Sequence, residues 1–333
     1  MEKVVIALDA MGGDYAPEQT VKGAVEAVNS SDEIRVILVG KQDMITKELE
    51  KYEYAKEDIE VVHASEIIDM GDVPTVAIKD KKDSSLVVAM RLVREGKADA
   101  LVSAGSTGAV LVGGQLVVGR LKGIKRPPLA PFIPTTKGFS LLIDCGANVD
   151  ARPEHLVQFA QMGSIYYENV MGKKNPTVAL LNIGTEEEKG NQLVKDTKPL
   201  MKECKNINYI GSVEARELVS GAADVIVCEA FVGNVVLKFF EGLALTLFGS
   251  LKKGLMSSTR TKLGALLVKP ALKGLKNQFD TSSQGGAPLL GLKGLVVKAH
   301  GNSSSKEIEI ALKQCISFKK QKINEKIKES ICD

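Results

Sequence analysis

A chain of 333 residues with a formal net charge of +3 can bury a large core, as one big α/β domain or two smaller ones. Tryptophan is absent and aromatic residues make up 5%, which leaves little from which to build base-stacking platforms, so no nucleic-acid partner is expected. Five cysteines (Cys145, Cys204, Cys228, Cys315 and Cys332) are odd in number and never spaced C-x-x-C, which argues against a disulfide framework or a zinc site and for reduced core thiols.

Short β-branched or leucine-rich runs bounded by turn residues predict strands at Val4–Leu8, Arg35–Val39, Ile59–Val62, Ala100–Val102, Ser140–Ile143, Val178–Leu181, Asn208–Ile210, Val225–Val227 and Leu295–Lys298. Between them, helical periodicity marks Pro17–Val28, Ser85–Arg94, Thr107–Val118, Glu154–Tyr167, Asn191–Glu203 and Asn234–Phe248. Such alternation predicts a three-layer α/β/α fold with a mostly parallel sheet and helices on both faces. With no internal repeat or low-complexity linker, 1–333 reads as a single enzyme domain. No run reaches the roughly eighteen uninterrupted apolar residues of a spanning helix, and the N-terminus enters a strand without a basic leader, so a soluble cytoplasmic chain is expected.

One segment departs from this rhythm. From Glu241 to Asp280 there is no acidic residue between the two, while Lys252, Lys253, Arg260, Lys262, Lys269, Lys273 and Lys276 add seven positive charges, leaving −4 on the rest of a +3 chain. If Thr246–Phe279 is helical, Lys262, Lys269, Lys273 and Lys276 share one face and Leu263, Leu267, Ala271 and Leu275 lie around the opposite side, with Pro270 expected to bend or restart the helix. A basic amphipathic hairpin inserted at 246–279 can be a core pair with snorkelling lysines, a membrane-surface anchor or a dock for an acidic protein. Its lack of acidic residues favours peripheral membrane contact, at about 1 kcal/mol per basic residue near anionic lipid.

Six strands run out into turns rich in Gly, Asn, Asp, Ser or Thr: Asp9–Asp14, Ser103–Gly108, Asp144–Asn148, Asn182–Asn191, Phe231–Lys238 and Lys298–Ser303. The carboxyl ends of parallel strands share one edge, so these turns are expected to converge on a crevice. Glycine turns that open helices offer backbone N–H groups to an anion. Gly105-Ser-Thr-Gly108, with Ser106 and Thr107, fits such a cradle, or holds its glycines for tightness alone. Neither G-x-x-x-x-G-K-[ST] nor G-x-G-x-x-G occurs, which disfavours a nucleotide bound through those loops. In Asn182–Asn191, Lys189 either holds a small anion or is merely solvated. Asn234 and Lys238, four apart at the start of a helix, share a face near its positive end.

Of three histidines, His155 sits within a predicted helix and reads as structural, whereas His63 and His300 close strands and are suited to proton transfer. No ligand spacing for a metal is found, and neither a G-x-S-x-G serine nor a cysteine in a basic setting offers a covalent nucleophile.

Taken together and in order, Ile6–Pro17 (with Asp9, Gly12, Gly13 and Asp14), Ser103–Ala109, Asp144–Asp150 (with Asn148), Leu181–Asn191, Phe231–Lys238 and Gly285–Gly294 resemble the PlsX-type phosphate acyltransferase family of bacterial phospholipid synthesis. The resemblance implies transfer of a long-chain acyl group from acyl carrier protein to inorganic phosphate, giving acyl-phosphate for a downstream glycerol-3-phosphate acyltransferase. It also implies a phosphotransacetylase-like and isocitrate dehydrogenase-like fold, a homodimer, no cofactor and no metal, and membrane attachment through the hairpin. Carried over by motif, Lys189 and Asn234 stand foremost, surrounded by the Asp9–Asp14 turn, Asn182, Gly184, Asn191 and His300. Two departures are visible: Ser212 where asparagine is usual, and Glu229-Ala230 in place of Asp-Gly before Phe231. Competing readings are a short-chain phosphotransacetylase, a metal- and nicotinamide-dependent decarboxylating dehydrogenase, and a non-catalytic membrane scaffold.

Overall fold

The computed structural model describes residues 3–279 and 284–332, apart from the side chains of Lys276, Asn277 and Cys332. The first stretch builds β1 (Val4–Asp9), α1 (Glu18–Asn29), β2 (Ile34–Gly40), α2 (Gln42–Leu49), β3 (Ile59–His63), α3 (Pro74–Asp80), α4 (Ser85–Arg94), β4 (Ala100–Ser103) and α5 (Thr107–Gly113), which a π-helical turn prolongs over Gly114–Val118. Next come β5 (Phe132–Thr135), β6 (Gly138–Ile143), α6 (Pro153–Met171), β7 (Thr177–Asn182), α7 (Gln192–Glu203), β8 (Asn208–Glu214), β9 (Val225–Val227), α8 (Ala230–Leu255) and α9 (Thr259–Gln278). The chain closes with β10 (Ala287–Leu289), β11 (Leu295–Lys298), α10 (Ser305–Lys320) and α11 (Ile323–Cys332).

The strands divide between two sheets rather than forming one. The first has the order β10-β11-β4-β1-β2-β3 and belongs to a unit made of Met1–Pro131, Gln161–Asn175 and Ser282–Asp333. The second has the order β5-β6-β9-β7-β8 and belongs to Phe132–Ala160 with Pro176–Thr281. In each sheet the pairing is parallel except for one edge strand, β10 or β5. The central strands are unbroken apolar runs, and β4 and β9 are buried along their whole length, as a strand covered on both faces requires. In the first unit α1, α2 and α10 form one packed group and α3, α4 and α5 another, both reaching β1 or β2. In the second, Leu142, Ala179, Leu181, Val213 and Ile226 make a core on which Val232, Val236 and Leu237 of α8 pack.

Six elements had no counterpart in the predicted pattern: α2, α3, α10, α11 and the edge strands β5 and β10. Pro134 and Pro288 interrupt the β propensity of the two strands, and an edge is where a strand tolerates proline. Two differences bear on function. Phe231–Lys238 is not a turn: it forms the first turns of α8, which runs unbroken past Thr246 to Leu255 and so is also the first arm of the hairpin. Pro270 does not break α9; the carbonyl it leaves unbonded belongs to Leu266, an exposed residue whose carbonyl water can satisfy. By length and composition α8, with a mean hydropathy of 1.6 over its best window, is long and apolar enough to cross a membrane, and little of that window is buried. The uninterrupted-run test missed it because Lys238 and Glu241 interrupt the apolar sequence.

Candidate active site

The β7–α7 loop is held from within. Asn182 Nδ2 donates to the carbonyls of Gly184 (2.9 Å) and Lys189 (3.1 Å), so both of its amide hydrogens serve the loop. Gly190 has φ +116°, and a Cβ there would press on Asn182 Oδ1 and Val194, so glycine is required at that position. Asn191 caps α7, its Oδ1 accepting the Val194 N–H at 3.0 Å. A residue missed in the sequence completes the scaffold: the buried ammonium of Lys198 donates to the carbonyls of Glu186 (3.0 Å), Glu187 (2.8 Å) and Lys189 (3.1 Å). A signal for it exists, since Lys198 falls on the buried face of α7 with Val194, Thr197 and Met201. With the carbonyls of Gly184, Glu186, Glu187 and Lys189 engaged, the Lys189 side chain is exposed.

The start of α8 is equally determined. Glu229 is its N-cap, the carboxylate accepting from the N–H groups of Phe231 (2.6 Å) and Val232 (2.8 Å). The Ala230 N–H goes to the Asn148 carbonyl (3.2 Å) and the Gly233 N–H to the Glu229 carbonyl (3.0 Å). All four first-turn donors are therefore used, and a glutamate already faces the positive helix end. With the first-turn backbone amides occupied, Asn234 and Lys238 can meet an anion there through their side chains alone. Both side chains are exposed, and Lys238 pairs with Glu241 at 2.8 Å. Gly233 packs against the Asp144 carbonyl and the Cys228 sulfur so closely that a Cβ would clash. Beneath it, Asn148 Nδ2 donates to Asp144 Oδ2 at 2.7 Å and the Ala147 N–H to Oδ1 at 3.1 Å. The replacement of Asp-Gly by Glu229-Ala230 thus leaves a capped helix, with Ala230 fully buried.

The β7–α7 loop and the first turns of α8 line one cavity of about 290 Å³. Its wall is apolar, with Leu156, Leu180, Leu193, Val227, Val232 and Val236 among the lining residues, and its polar residues are Asn182, Asn191 and Glu229.

The remaining three turns group at the carboxyl edge of the first sheet. Asp9 is buried at the end of β1, where the Ser103 hydroxyl donates to its Oδ2 at 2.7 Å and takes the Gly105 N–H at 3.1 Å. Asp9 Oδ1 is buried with no hydrogen-bond partner. Burial pushes this carboxyl up, against the opposing pull of the Ser85 and Ser103 hydroxyls, the Met11 amide and Lys298. A Cβ on Gly12 would meet Asp9 and the Gly105 nitrogen, and one on Gly13, at φ +110°, would press on Ala104 and the Gly301 carbonyl. The Asp14 N–H donates to that same carbonyl at 2.7 Å. His300 is exposed just beyond β11. Ser106 caps α5 through the Ala109 N–H at 3.5 Å, with Thr107 as the first helical residue, and Gly108 makes room for Pro74. His63 is not brought to this group: it ends the edge strand β3, with β2 between it and β1, and its Nδ1 takes the Gln42 N–H at 3.4 Å.

The profile of the fatty acid synthesis protein family matches residues 4–326. The chain belongs to that family. Its relatives include the phosphate acyltransferases of Alkaliphilus oremlandii, 54% identical over 326 residues (98% of this chain, 97% of the relative), and of Clostridium acetobutylicum, 50% identical over 324 residues (97% and 98%). A phosphotransacetylase from Streptococcus pyogenes superposes with a TM-score of 0.65 at 17% identity, over 94% of this chain and 93% of that one, and shows the α/β/α fold. This member of the fatty acid synthesis protein family is accordingly an acyltransferase enzyme. Its buried thiols are not poised for nucleophilic work: burial pushes Cys145 and Cys228 well above the ordinary thiol range, and the Cys315 thiol rises for the same reason. The hairpin residues Lys252, Lys253, Arg260, Lys262, Lys269 and Lys273 are exposed, and so are Leu263 (60%) and Leu267 (83%), which removes the core-pair reading. The Lys276 side chain lies outside the described residues.

Proposed function

We propose that this enzyme transfers a long-chain acyl group from acyl carrier protein to inorganic phosphate and releases acyl-phosphate for phospholipid synthesis. The observation that supports the proposal is the shared wall: the loop that carries Lys189, tied down by Lys198, contributes Asn182, Ile183 and Asn191 to an apolar cavity, and the helix that carries Asn234 contributes Val232 and Val236, Lys189 and Asn234 themselves being exposed. Phosphate oxygen attacks the thioester carbonyl, the tetrahedral intermediate collapses, and the thiolate leaves, so no acyl-enzyme is needed. Lys189 neutralises the phosphate dianion, and the Asn234 amide donates to the oxyanion; a donor of that kind contributes about a hundred- to a thousand-fold in turnover. The leaving thiol, with a pKa near 8.5 for an ordinary thiol, departs without an acid, so His63 and His300 have no required part in the step.

The same reading makes the protein a homodimer that touches anionic membrane peripherally through α8 and α9, near the glycerol-3-phosphate acyltransferase that consumes its product. The test is phosphate-dependent loss of acyl carrier protein thioester, with acyl-phosphate trapped as hydroxamate and no metal added. Hydroxamate that forms only with phosphate is expected. Turnover of short acyl-coenzyme A in preference to the carrier-protein thioester would establish a phosphotransacetylase instead, and no turnover with either sinks the acyl-transfer reading.

A further inference from the structure

The cavity behind the β7–α7 loop is far larger than a packing defect. Protein interiors pack like organic crystals, with few voids above the size of one water, and about 290 Å³ corresponds to roughly ten water-sized groups at about 30 Å³ each. Eleven of its fourteen lining residues are apolar, and none is aromatic or basic. A nucleotide, a sugar or a phosphate would find no stacking surface and no cation in such a space. An unbranched hydrocarbon needs neither, and its methylene group is close to water in size.

We infer that this cavity receives the first ten or so carbons of the acyl chain of the thioester substrate, which rests on the acyl-transfer reading above and adds the location of the chain. Asn182 and Asn191, which frame the loop presenting Lys189, also line the cavity, so a chain lodged there is anchored beside the loop that holds the phosphate. Ile183, directly after Asn182, lines the cavity while remaining 80% exposed, the behaviour of a residue at a mouth. Val232 and Val236, one turn apart, form the α8 wall. Further along α8 the exposed Phe239 and Leu243 continue the apolar line, a surface along which carbons beyond the cavity can run.

The absence of tryptophan provides a clean optical probe. In an Ile183→Trp variant of the full chain, palmitic acid brominated at mid-chain is expected to quench the fluorescence saturably, bromoacetate is expected to leave it unchanged, and palmitoyl carrier-protein thioester is expected to compete. Quenching that responds only to vesicles of brominated phospholipid would mean a lipid tail fills the space and would overturn the assignment, as would no quenching by any of these. The second arm is Val236→Trp with Leu193→Phe as an independent filler. Each is expected to lower the long-chain to butyryl ratio of hydroxamate formation at least tenfold. Equal loss at every length in both variants, or an unchanged ratio in both, refutes the cavity as the acyl site. Saturable quenching without any phosphate-dependent turnover in the wild type would instead remove the acyl-transfer reading and keep the cavity as a hydrocarbon site.

Discussion

Lys198 braces the loop that carries Lys189 from its buried side. Its ammonium binds three carbonyls of the loop that carries Lys189, and a hydrogen bond to a charged group typically contributes about 1.5–3 kcal/mol. Lys198→Met should therefore loosen the loop and raise the KM for phosphate about tenfold or more, with the KM for the thioester nearly unchanged; kinetics with each substrate varied in turn would show it. Loss confined to thermal stability, with both KM values at wild type, would make Lys198 purely structural. Lys189→Ala should weaken phosphate use directly, whereas Asn234→Ala should lower kcat; wild-type kinetics in both would remove them from the chemistry. Turn residues at strand ends drew attention to Lys189, Asn182 and Asn191, whereas Asn234, which lies inside α8, stood out through the family motif. It hid what those amides do, since Asn182 and Asn191 spend their side chains on the loop and on a helix cap. Gly233 likewise looks like any glycine until the Asp144 carbonyl is seen against it.

At the scale of elements, hydrophobic period located the central strands and most helices, because a buried run or an amphipathic stripe is a property of adjacent residues. It placed the start of α8 late because that start is fixed by Glu229, an unusual cap, and by contacts to Asn148 and Asp144 from far along the chain. It passed over α10 although Ser304 and Glu307 form a capping box. That helix carries a pH-dependent element of stability. Glu309 on α10 is buried; burial alone would raise its carboxyl, but hydrogen bonds from Lys306, Lys313 and the Ser30 hydroxyl bring it down to about 2. A depressed carboxyl stabilises the fold above its unfolded value and loses that contribution as pH falls through its folded value. Glu309→Gln should then cost on the order of 1–3 kcal/mol at pH 7, and the gap to wild type should narrow between pH 4.5 and about 2. Urea unfolding of both proteins across that range measures it, and a gap independent of pH would contradict the ion-pair account.

For the whole molecule, the period of single elements could not reveal that the strands among the described residues make two sheets, since each β-strand looks the same whichever sheet it joins. Charge distribution, in contrast, is legible at full length, and it concentrates the excess positive charge on the arms of α8 and α9. Those arms expose Lys262 and Lys269 with Leu266 close to them, and Leu263 and Leu267 farther round the same helix, so a helix lying along an anionic bilayer would offer it both apolar and electrostatic attraction. At about 1 kcal/mol per basic residue, changing Lys262, Lys269 and Lys273 to glutamine should remove about 3 kcal/mol, more than a hundredfold in binding. Sedimentation with vesicles containing anionic phospholipid is expected to show that loss, and raised salt should weaken the wild type toward the variant as screening shortens. Acidic carrier protein is the competing partner for the same lysines, and it would leave a different mark: a raised KM for the carrier-protein thioester with vesicle binding intact. Because the substitutions lie outside the β7–α7 loop and the cavity, hydroxamate formation from a small soluble thioester should stay at the wild-type rate under either outcome. Vesicle binding unchanged by the triple substitution would assign the basic face to the protein partner rather than to lipid.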